Sequence, residues 1–91
     1  MAVVTLKVYT TLKDRLGFSQ IDLEAENLKQ AVEKLCDMNK EIKNILFENK
    51  NKIKNYFVIT LNSEIIDNSR ISRIKLTDGD IINIFPPVSG G

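Results

Sequence analysis

The sequence predicts an α+β fold in which four or five strands pack around one main helix. Three observations support this prediction. Apolar and polar residues alternate near both ends of the chain, a helix-type apolar stripe lies between them, and short turn sequences separate the segments. The order strand, strand, helix, strands is typical of the α+β class. A chain of 91 residues has room for one domain with a modest core.

The first two strands are predicted near the start of the chain. Residues 3–9 alternate between apolar and polar types, as a half-buried strand does. Residues 12–17 are predicted to form a short turn or half-helix that ends at Gly17, because glycine readily adopts the left-handed conformation that stops a helix. Residues 19–23 are predicted to form a second strand, which completes a hairpin with the first.

The main helix is predicted to begin after Asn27. Asn27 is a suitable N-cap, and Gln30 stands where the second residue of a capping box is expected. Apolar residues then follow at helical spacing and form one stripe: Leu28, Ala31, Val32 and Leu35. We expect this stripe to pack against the sheet. A further helical turn or two is indicated by three apolar residues: Ile42, Ile45 and Leu46.

Residues 48–55 are rich in Lys and Asn and are predicted to form a polar loop. The Lys side chains of this loop are expected to be solvated, with nucleic-acid binding as the remote alternative: Lys50, Lys52 and Lys54. Residues 56–61 form the strongest strand pattern of the chain, and the turn former at 62–64 closes it. Ile65 and Ile66 are then predicted to form a short edge strand.

The last strand is predicted at residues 81–85, after a tight turn at residues 76–80. Within that turn, Asp78-Gly79 is the strongest short hairpin signal in the sequence. Asp78 and Asp80 are interpreted as turn residues, with salt contacts to a partner as the alternative. Pro86 has no N–H group and cannot continue a central strand, so pairing is expected to stop at Phe85.

The composition excludes most self-sufficient catalysis. The chain has no His, one Cys and only four Gly residues, so a His-containing catalytic triad, a zinc thiolate cluster and a glycine-rich phosphate loop cannot be built. The net charge of +1 argues against broad capture of nucleic acid or membrane. Neither a signal peptide nor a membrane-spanning segment is predicted, and the single Cys fits the reducing cytoplasm, which is the expected location.

The sequence ends with "FPPVSGG", and this ending suggests a projecting tail. The two Pro residues favour an extended exit, so the residues beyond Phe85 could reach up to roughly 20 Å from the body of the domain. Two Gly residues without side chains would make the tip narrow enough for a confined channel. The reactive group at that tip is the α-carboxylate of Gly91. A frayed terminus is the alternative interpretation.

Three segments, residues 8–17, 59–62 and 76–91, together resemble the MoaD/ThiS family of ubiquitin-like sulfur carriers. The ending is most similar to that of the small subunit of molybdopterin synthase. The thiamine carriers share the Gly-Gly but usually lack the Phe-Pro-Pro before it. The resemblance is weakest from about residue 38 to residue 55, where this chain looks longer than the short bacterial members.

The resemblance implies a ubiquitin-like β-grasp domain with a mixed sheet over residues 1–85 and an extended tail over residues 86–91. An E1-like adenylating enzyme of the MoeB/ThiF type would activate Gly91 with ATP, and a sulfur donor protein would convert it to a thiocarboxylate. The tail would then enter the large subunit of molybdopterin synthase (MoaE type): Pro86, Pro87, Val88, Ser89, Gly90 and Gly91. There it would deliver sulfur to a pterin precursor, which forms the dithiolene that binds molybdenum or tungsten.

In this scheme the carrier binds no cofactor or metal of its own, and the partners supply the acid, base and anion-binding groups. The resemblance places Tyr9, Ile65 and Phe85 where family members present an apolar surface to partners. We expect Phe85 at such an interface, while Tyr9 and Ile65 could belong to the interface or to the core. Cys36 lies on the apolar stripe of the helix and is interpreted as a buried structural thiol rather than a sulfur relay.

Three other functions remain open from the sequence. The chain could carry sulfur for thiamine synthesis, or it could be a protein modifier whose Gly91 joins a lysine of a target. It could also be a β-grasp binding module whose tail is inert. The resemblance does not decide between molybdenum and tungsten, and it does not identify the sulfur donor.

Overall fold

The computed structural model describes residues 1–86, which form one mixed five-stranded sheet, three α-helices, a short 3-10 helix and a separate small hairpin. The strands of the sheet are β1 (Ala2–Val8), β2 (Gln20–Ala25), β5 (Val58–Leu61), β6 (Glu64–Ile66) and β7 (Ile81–Phe85). The hairpin consists of β3 (Phe47–Asn49) and β4 (Lys52–Ile53). The helices are α1 (Thr10–Leu16), α2 (Leu28–Asp37) and α3 (Lys40–Leu46), and the 3-10 helix covers Ile71–Arg73.

The first and last strands lie side by side at the centre of the sheet, whose order is β2-β1-β7-β5-β6. β1 and β7 are parallel, with Leu6 opposite Ile82 and Val8 opposite Ile84. The other neighbouring pairs are antiparallel. Because β1 and β7 run in the same direction, the chain leaves the sheet at Phe85, at the edge where β1 also ends. The α+β prediction with four or five strands is confirmed at five.

The sheet has one buried face and one face that points away from the helices. The buried face carries a fully enclosed apolar set from the three central strands, namely Leu6, Val8, Ile59, Ile82 and Ile84. The stripe predicted on α2 joins the same core, and all of its members are buried: Leu28, Ala31, Val32 and Leu35. Period-two alternation in the strands and period-3.6 spacing in α2 therefore meet in one core.

The predicted ends of the helices are also observed. The side-chain oxygen of Asn27 accepts a hydrogen bond from the backbone N–H of Gln30 at 2.8 Å. The side chain of Gln30 accepts one in return from the backbone N–H of Glu26 at 2.6 Å, one residue earlier than in the usual capping box. α1 ends at Gly17, whose φ of 84° lies in the left-handed region. Both signals therefore act as the sequence predicts.

The prediction of a polar loop over residues 48–55 is wrong. This segment forms most of the β3–β4 hairpin, in which Ile53 pairs with Phe47 and is fully buried. The backbone N–H of Ile53 donates to the carbonyl of Asn68, and the Asn68 side chain donates to the carbonyls of Lys54 and Phe57. The Lys- and Asn-rich composition gave no indication that Ile53, the one apolar residue of this segment, points inward. Its packing in the core anchors the hairpin.

The structure also differs from the hairpin that the sequence indicated at Asp78-Gly79. Gly79 has a φ of 89°, so the tight turn is present as predicted. The strand that follows it, however, pairs with β1 in parallel and with β5, and the turn does not close a two-stranded hairpin. The local turn chemistry was correct, but the pairing depends on a strand more than 70 residues away in the sequence, as the contact of Asp78 with Val3 shows.

We expect Ile53→Ala to lower the free energy of unfolding by about 2–5 kcal/mol, because it removes a fully buried side chain and leaves a cavity. Lys50→Ala, at the exposed tip of the same hairpin, is the matched control and should change stability by about 0.5 kcal/mol or less. Urea unfolding followed by circular dichroism measures both. Equal, small effects of the two substitutions would mean that the hairpin is not anchored in the core.

Candidate functional site

The face of the sheet that points away from α2 carries a group of apolar side chains next to the end of β7. We call this group the outer patch: Tyr9, Val58, Ile65 and Phe85. Phe85 is 37% exposed, Val58 40% and Ile65 77%, while Tyr9 is half-buried. Val58 lies directly opposite Phe85, and Val58 and Ile65 line the same shallow depression. Exposed apolar side chains grouped in this way are typical of protein–protein contact surfaces.

Phe85 is held in place by an aromatic neighbour. Its ring stacks on the ring of Tyr9, with the centroids 4.9 Å apart and the planes inclined by 13°. The Tyr9 hydroxyl donates a hydrogen bond of 2.6 Å to the side-chain oxygen of Asn83, which lies on the same strand as Phe85. Tyr9 therefore contacts β7 through both its ring and its hydroxyl. These contacts hold the side chain of Phe85, the last residue of the strand, in place.

Tyr9 and Ile65, which the sequence left open between interface and core, both lie on the outer face and outside the core. Phe85, which was expected at an interface, lies on the same face, and the binding of a partner by all three stays a prediction. β7 ends at Phe85 as predicted, and Pro86 follows it outside the strand. The other predicted tail residues lie outside the described residues: Pro87, Val88, Ser89, Gly90 and Gly91.

The start of β7 is fastened by Asp80. Its carboxylate accepts hydrogen bonds from the backbone N–H of Thr77 at 2.8 Å, from the Thr77 hydroxyl at 3.0 Å and from the Asn62 side chain at 2.8 Å. These bonds, led by that of the Thr77 N–H, hold the pKa of Asp80 below its usual value. Asn62 also accepts from the N–H of Ile81 at 2.9 Å, so the β5–β6 turn is tied to β7.

Asp78 ties the same turn to the first strand. Its carboxylate accepts a hydrogen bond of 2.8 Å from the backbone N–H of Val3, and the N–H of Gly79 donates to the Val3 carbonyl at 2.9 Å. The turn-residue interpretation of Asp78 and Asp80 therefore describes their contacts within residues 1–86. Sequence reasoning missed the contribution of Asn62, and its turn-former context was the available signal.

Cys36 is buried on α2, as the sequence predicted. Burial, with a smaller contribution from the neighbouring charge of Asp37, raises the pKa of its thiol to about 12. The thiol is therefore protonated at neutral pH, and a protonated thiol is a poor nucleophile. Within residues 1–86 no three His, Cys, Asp or Glu side chains are grouped as metal ligands would be. No helix in the described part of the chain is long and apolar enough to span a membrane.

The topology and the outer patch together define a ubiquitin-like β-grasp protein, in which a helix packs on one face of a mixed sheet with central first and last strands. The chain belongs to the ThiS family, whose pattern matches residues 6–91. This family includes ubiquitin-like sulfur carriers and protein modifiers. The predicted β-grasp fold and the predicted MoaD/ThiS membership are both confirmed.

Several solved structures share this fold. The solution structure of small archaeal modifier protein 1 from Methanosarcina acetivorans is 27% identical, with a TM-score of 0.81, and the match covers 100% of this chain and 98% of that one. A complex of subunits 1 and 2 of molybdopterin-converting factor from Helicobacter pylori contains a chain 26% identical, with a TM-score of 0.63 and coverages of 98% and 99%.

The BexX/CysO complex of Amycolatopsis orientalis contains a chain that is 20% identical, with a TM-score of 0.79 and coverages of 97% and 99%, and it supports the fold alone. A sequence search of curated proteins found no significant match. These two relatives at 27% and 26% identity have different names, a modifier and a converting-factor subunit. Similarity therefore identifies the class of carriers and modifiers and does not distinguish between the two functions.

We expect acid to destabilise the domain partly through Asp80. Its pKa is lower in the folded protein than the value of about 3.9 for an unfolded Asp, so its stabilising effect is complete above that value. The effect is lost as the pH falls through the lower, folded pKa. At pH 7, Asp80→Asn should lower the free energy of unfolding by about 1–3 kcal/mol, because an amide cannot accept all three hydrogen bonds.

The control for this prediction is Asp14→Asn, since Asp14 is exposed on α1. Thermal unfolding between about pH 2 and pH 7 should show the deficit of Asp80→Asn relative to the parent shrinking toward low pH. A deficit that is the same at every pH would show that ionisation of Asp80 does not contribute to stability.

Proposed function

We propose that this chain is a sulfur carrier that serves as the small subunit of molybdopterin synthase, with Gly91 as the site where sulfur is attached. The observation that carries the proposal is the outer patch of a ThiS-family protein, with the stacked aromatic Phe85 at the root of a Pro-Pro…Gly-Gly segment. In this arrangement the patch docks the catalytic partner, and the segment after Phe85 delivers the acyl group to its active site.

The chemistry at Gly91 proceeds through an activated acyl group. An E1-like enzyme joins the carboxylate to AMP from ATP, with release of pyrophosphate, and the persulfide of a sulfur donor then displaces AMP to form an acyl disulfide. A thiol cleaves this acyl disulfide, forms a disulfide with the donor, and leaves the thiocarboxylate on Gly91. In the synthase, the sulfur bonds to a carbon of the pterin precursor and displaces an oxygen substituent, and water then cleaves the acyl–sulfur bond to return the carboxylate. Two such transfers supply the two sulfur atoms of the dithiolene. Tethering the sulfur to a docked carrier makes its transfer effectively intramolecular, which favours reaction at the right position.

The residues of this chain agree with a carrier whose partners supply the catalytic groups. The chain contains no His, and its one Cys thiol is buried and protonated. The acid, base and anion-binding groups therefore come from the partners, which are the adenylating enzyme, the sulfur donor and the large synthase subunit. ATP is consumed by the adenylating enzyme and is not a cofactor of this chain.

The molybdopterin branch is favoured by two observations. The ending carries the Phe-Pro-Pro lead-in that the thiamine carriers usually lack. One solved relative, at 26% identity, is named as subunit 1 of a molybdopterin-converting factor and is seen in complex with subunit 2. A complex of the same kind, in which the large subunit contacts the outer patch, is the partner arrangement that we propose here.

A second candidate is protein modification, which the similarity to small archaeal modifier protein 1 supports at 27% identity. Adenylation of Gly91 is common to both functions, and only the acceptor differs: a sulfur donor in one case and a lysine amine in the other. Lys75 is the last Lys or Arg of the chain, so trypsin would leave residues 76–91 on any conjugated lysine. This remnant distinguishes modification from sulfur transfer.

The test is intact mass spectrometry of the protein recovered from its native cell. Replacing one carboxylate oxygen by sulfur should add about 16 Da, and the parent should show this form whenever the activating enzyme and sulfur donor are present. Deletion of Gly91 and extension by one residue each move the carboxylate by about 3.5 Å. Both variants should therefore lose the added mass and fail to support cofactor synthesis. A displacement of about 1 Å between reacting groups can already lower a reaction rate by about a hundredfold.

Both tail variants should keep the melting temperature of the parent, which separates loss of chemistry from loss of fold. Gly90→Ala asks in addition whether the tip needs a residue without a side chain. Normal cofactor synthesis by both the deletion and the extension would contradict the carrier function. Residues 76–91 found on target lysines, with no 16 Da form, would favour the modifier function.

A further inference from the structure

A polar row crosses the outer face of the sheet beside the outer patch. Lys7 on β1 lies opposite Asn83 on β7, and Asn83 in turn lies opposite Thr60 on β5. All three residues are half-buried and lie on the same face as Phe85. Asn83 and Phe85 are two positions apart along β7, so the polar row runs about 7 Å from the aromatic side chain.

Lys7 is a cation without a carboxylate partner in the described part of the chain. The ion pairs found in residues 1–86 join Arg15 to Glu41 and Lys52 to Glu48, and Lys7 is in neither. Gln20 is the residue opposite Lys7 on β2. Asp22, the nearest acidic residue by register, accepts a hydrogen bond of 2.7 Å from the Thr5 hydroxyl instead.

Asn83 adds a second donor next to this cation. Its side-chain oxygen accepts the hydrogen bond from the Tyr9 hydroxyl at 2.6 Å, which orients the amide. The Nδ2 group makes no hydrogen bond to any of residues 1–86, so its two N–H donors remain available on the face. Tyr9 therefore has two contacts with β7: its ring stacks on Phe85, and its hydroxyl binds the Asn83 side-chain oxygen and leaves the amide nitrogen without a partner in residues 1–86.

This donor-only pair restricts what the outer face can bind. A purely apolar partner surface would cover the outer patch well, but it would also remove water from an unpaired ammonium and an unpaired amide, which is strongly unfavourable. A carboxylate satisfies both groups, because it accepts charge-assisted hydrogen bonds at two oxygens. A single cation beside the apolar outer patch is a poor match for the repeated phosphates of a nucleic acid.

From this we infer that the partner protein places an Asp or Glu carboxylate against Lys7 and Asn83, about 7 Å from the pocket that receives Phe85, and that this contact selects the partner. The inference rests on the proposed function, because it concerns the same docking face. It makes Lys7 and Asn83 specificity-determining residues and Tyr9 a positioning residue. The apolar contact supplies affinity, and the paired charges reject partners without the acidic group.

Calorimetric titration of the full chain with the large synthase subunit from the same organism tests this inference. Lys7→Glu should weaken binding by roughly thirtyfold or more, because it places two carboxylates together. Lys7→Met keeps the apolar stem and removes the charge, and it should weaken binding by roughly tenfold. It should also reduce the salt dependence of binding that the parent shows. Tyr9→Phe, which releases the Asn83 amide, should weaken binding by a smaller factor.

Two reference variants make the result decisive. Lys50→Glu makes the same charge change on the β3–β4 hairpin, away from the outer face, and should leave binding within about twofold of the parent. Phe85→Ala should abolish or greatly weaken binding, because an aromatic anchor is removed. The melting temperatures of all variants identify any that fail to fold. If Lys7→Glu is unstable, the binding affinity of Lys7→Met tests the inference.

The Lys7 and Phe85 variants distinguish failure of the carboxylate contact from failure of the docking face. Parent-like binding by both Lys7 variants, with Phe85→Ala still impaired, would overturn the inference and leave the docking face in place. Parent-like binding by Phe85→Ala as well would overturn the docking face itself and the inference with it. An equal loss in Lys50→Glu and Lys7→Glu would show a general charge effect and would also overturn the inference.

Discussion

The parallel pairing of β1 with β7 is the constraint on which the rest of the structure depends. It brings the first and the last strand to the centre of the sheet and sets Leu6 against Ile82 in the core. Backbone and side-chain bonds from Val3 to the Asp78-Gly79 turn set its register. A slip of one residue would move every inward side chain to the opposite face, so this turn protects the core and the outer face together.

Because of that pairing, one face of the sheet forms the core and the other carries the outer patch. The inward side chains pack with α2 into a core without a buried unsatisfied side-chain polar atom among residues 1–86. The outward side chains next to the end of β7 form the outer patch and the polar row beside it. Phe85 is the last residue of β7, so the same strand that completes the core also ends at the outer patch. In the proposed function, folding and docking therefore depend on the same short strand.

The sequence correctly predicted those features of the fold that depend on residues close together in the chain. Alternation in β1, the cap at Asn27 and the stop at Gly17 all depend on neighbours within a few residues, and all are observed. The outcome at Ile53 and the pairing after Gly79 depend on distant partners, and the sequence alone mispredicted both. The contact between Tyr9 and Asn83 spans 74 positions, so no local pattern could reveal that the two donors at Lys7 and Asn83 lie together.

We propose above all that partners bind the outer face of the sheet and not the helical face. The most direct measurement is an NMR titration of the ¹⁵N-labelled full chain with the large synthase subunit from the same organism, followed through backbone amide shifts and line widths. We expect the changes to concentrate on β5, β7, the end of β1 and the segment after Phe85, while α2 and the β3–β4 hairpin stay unchanged. Changes confined to α2, α3 and the hairpin, with β7 unaffected, would contradict the account.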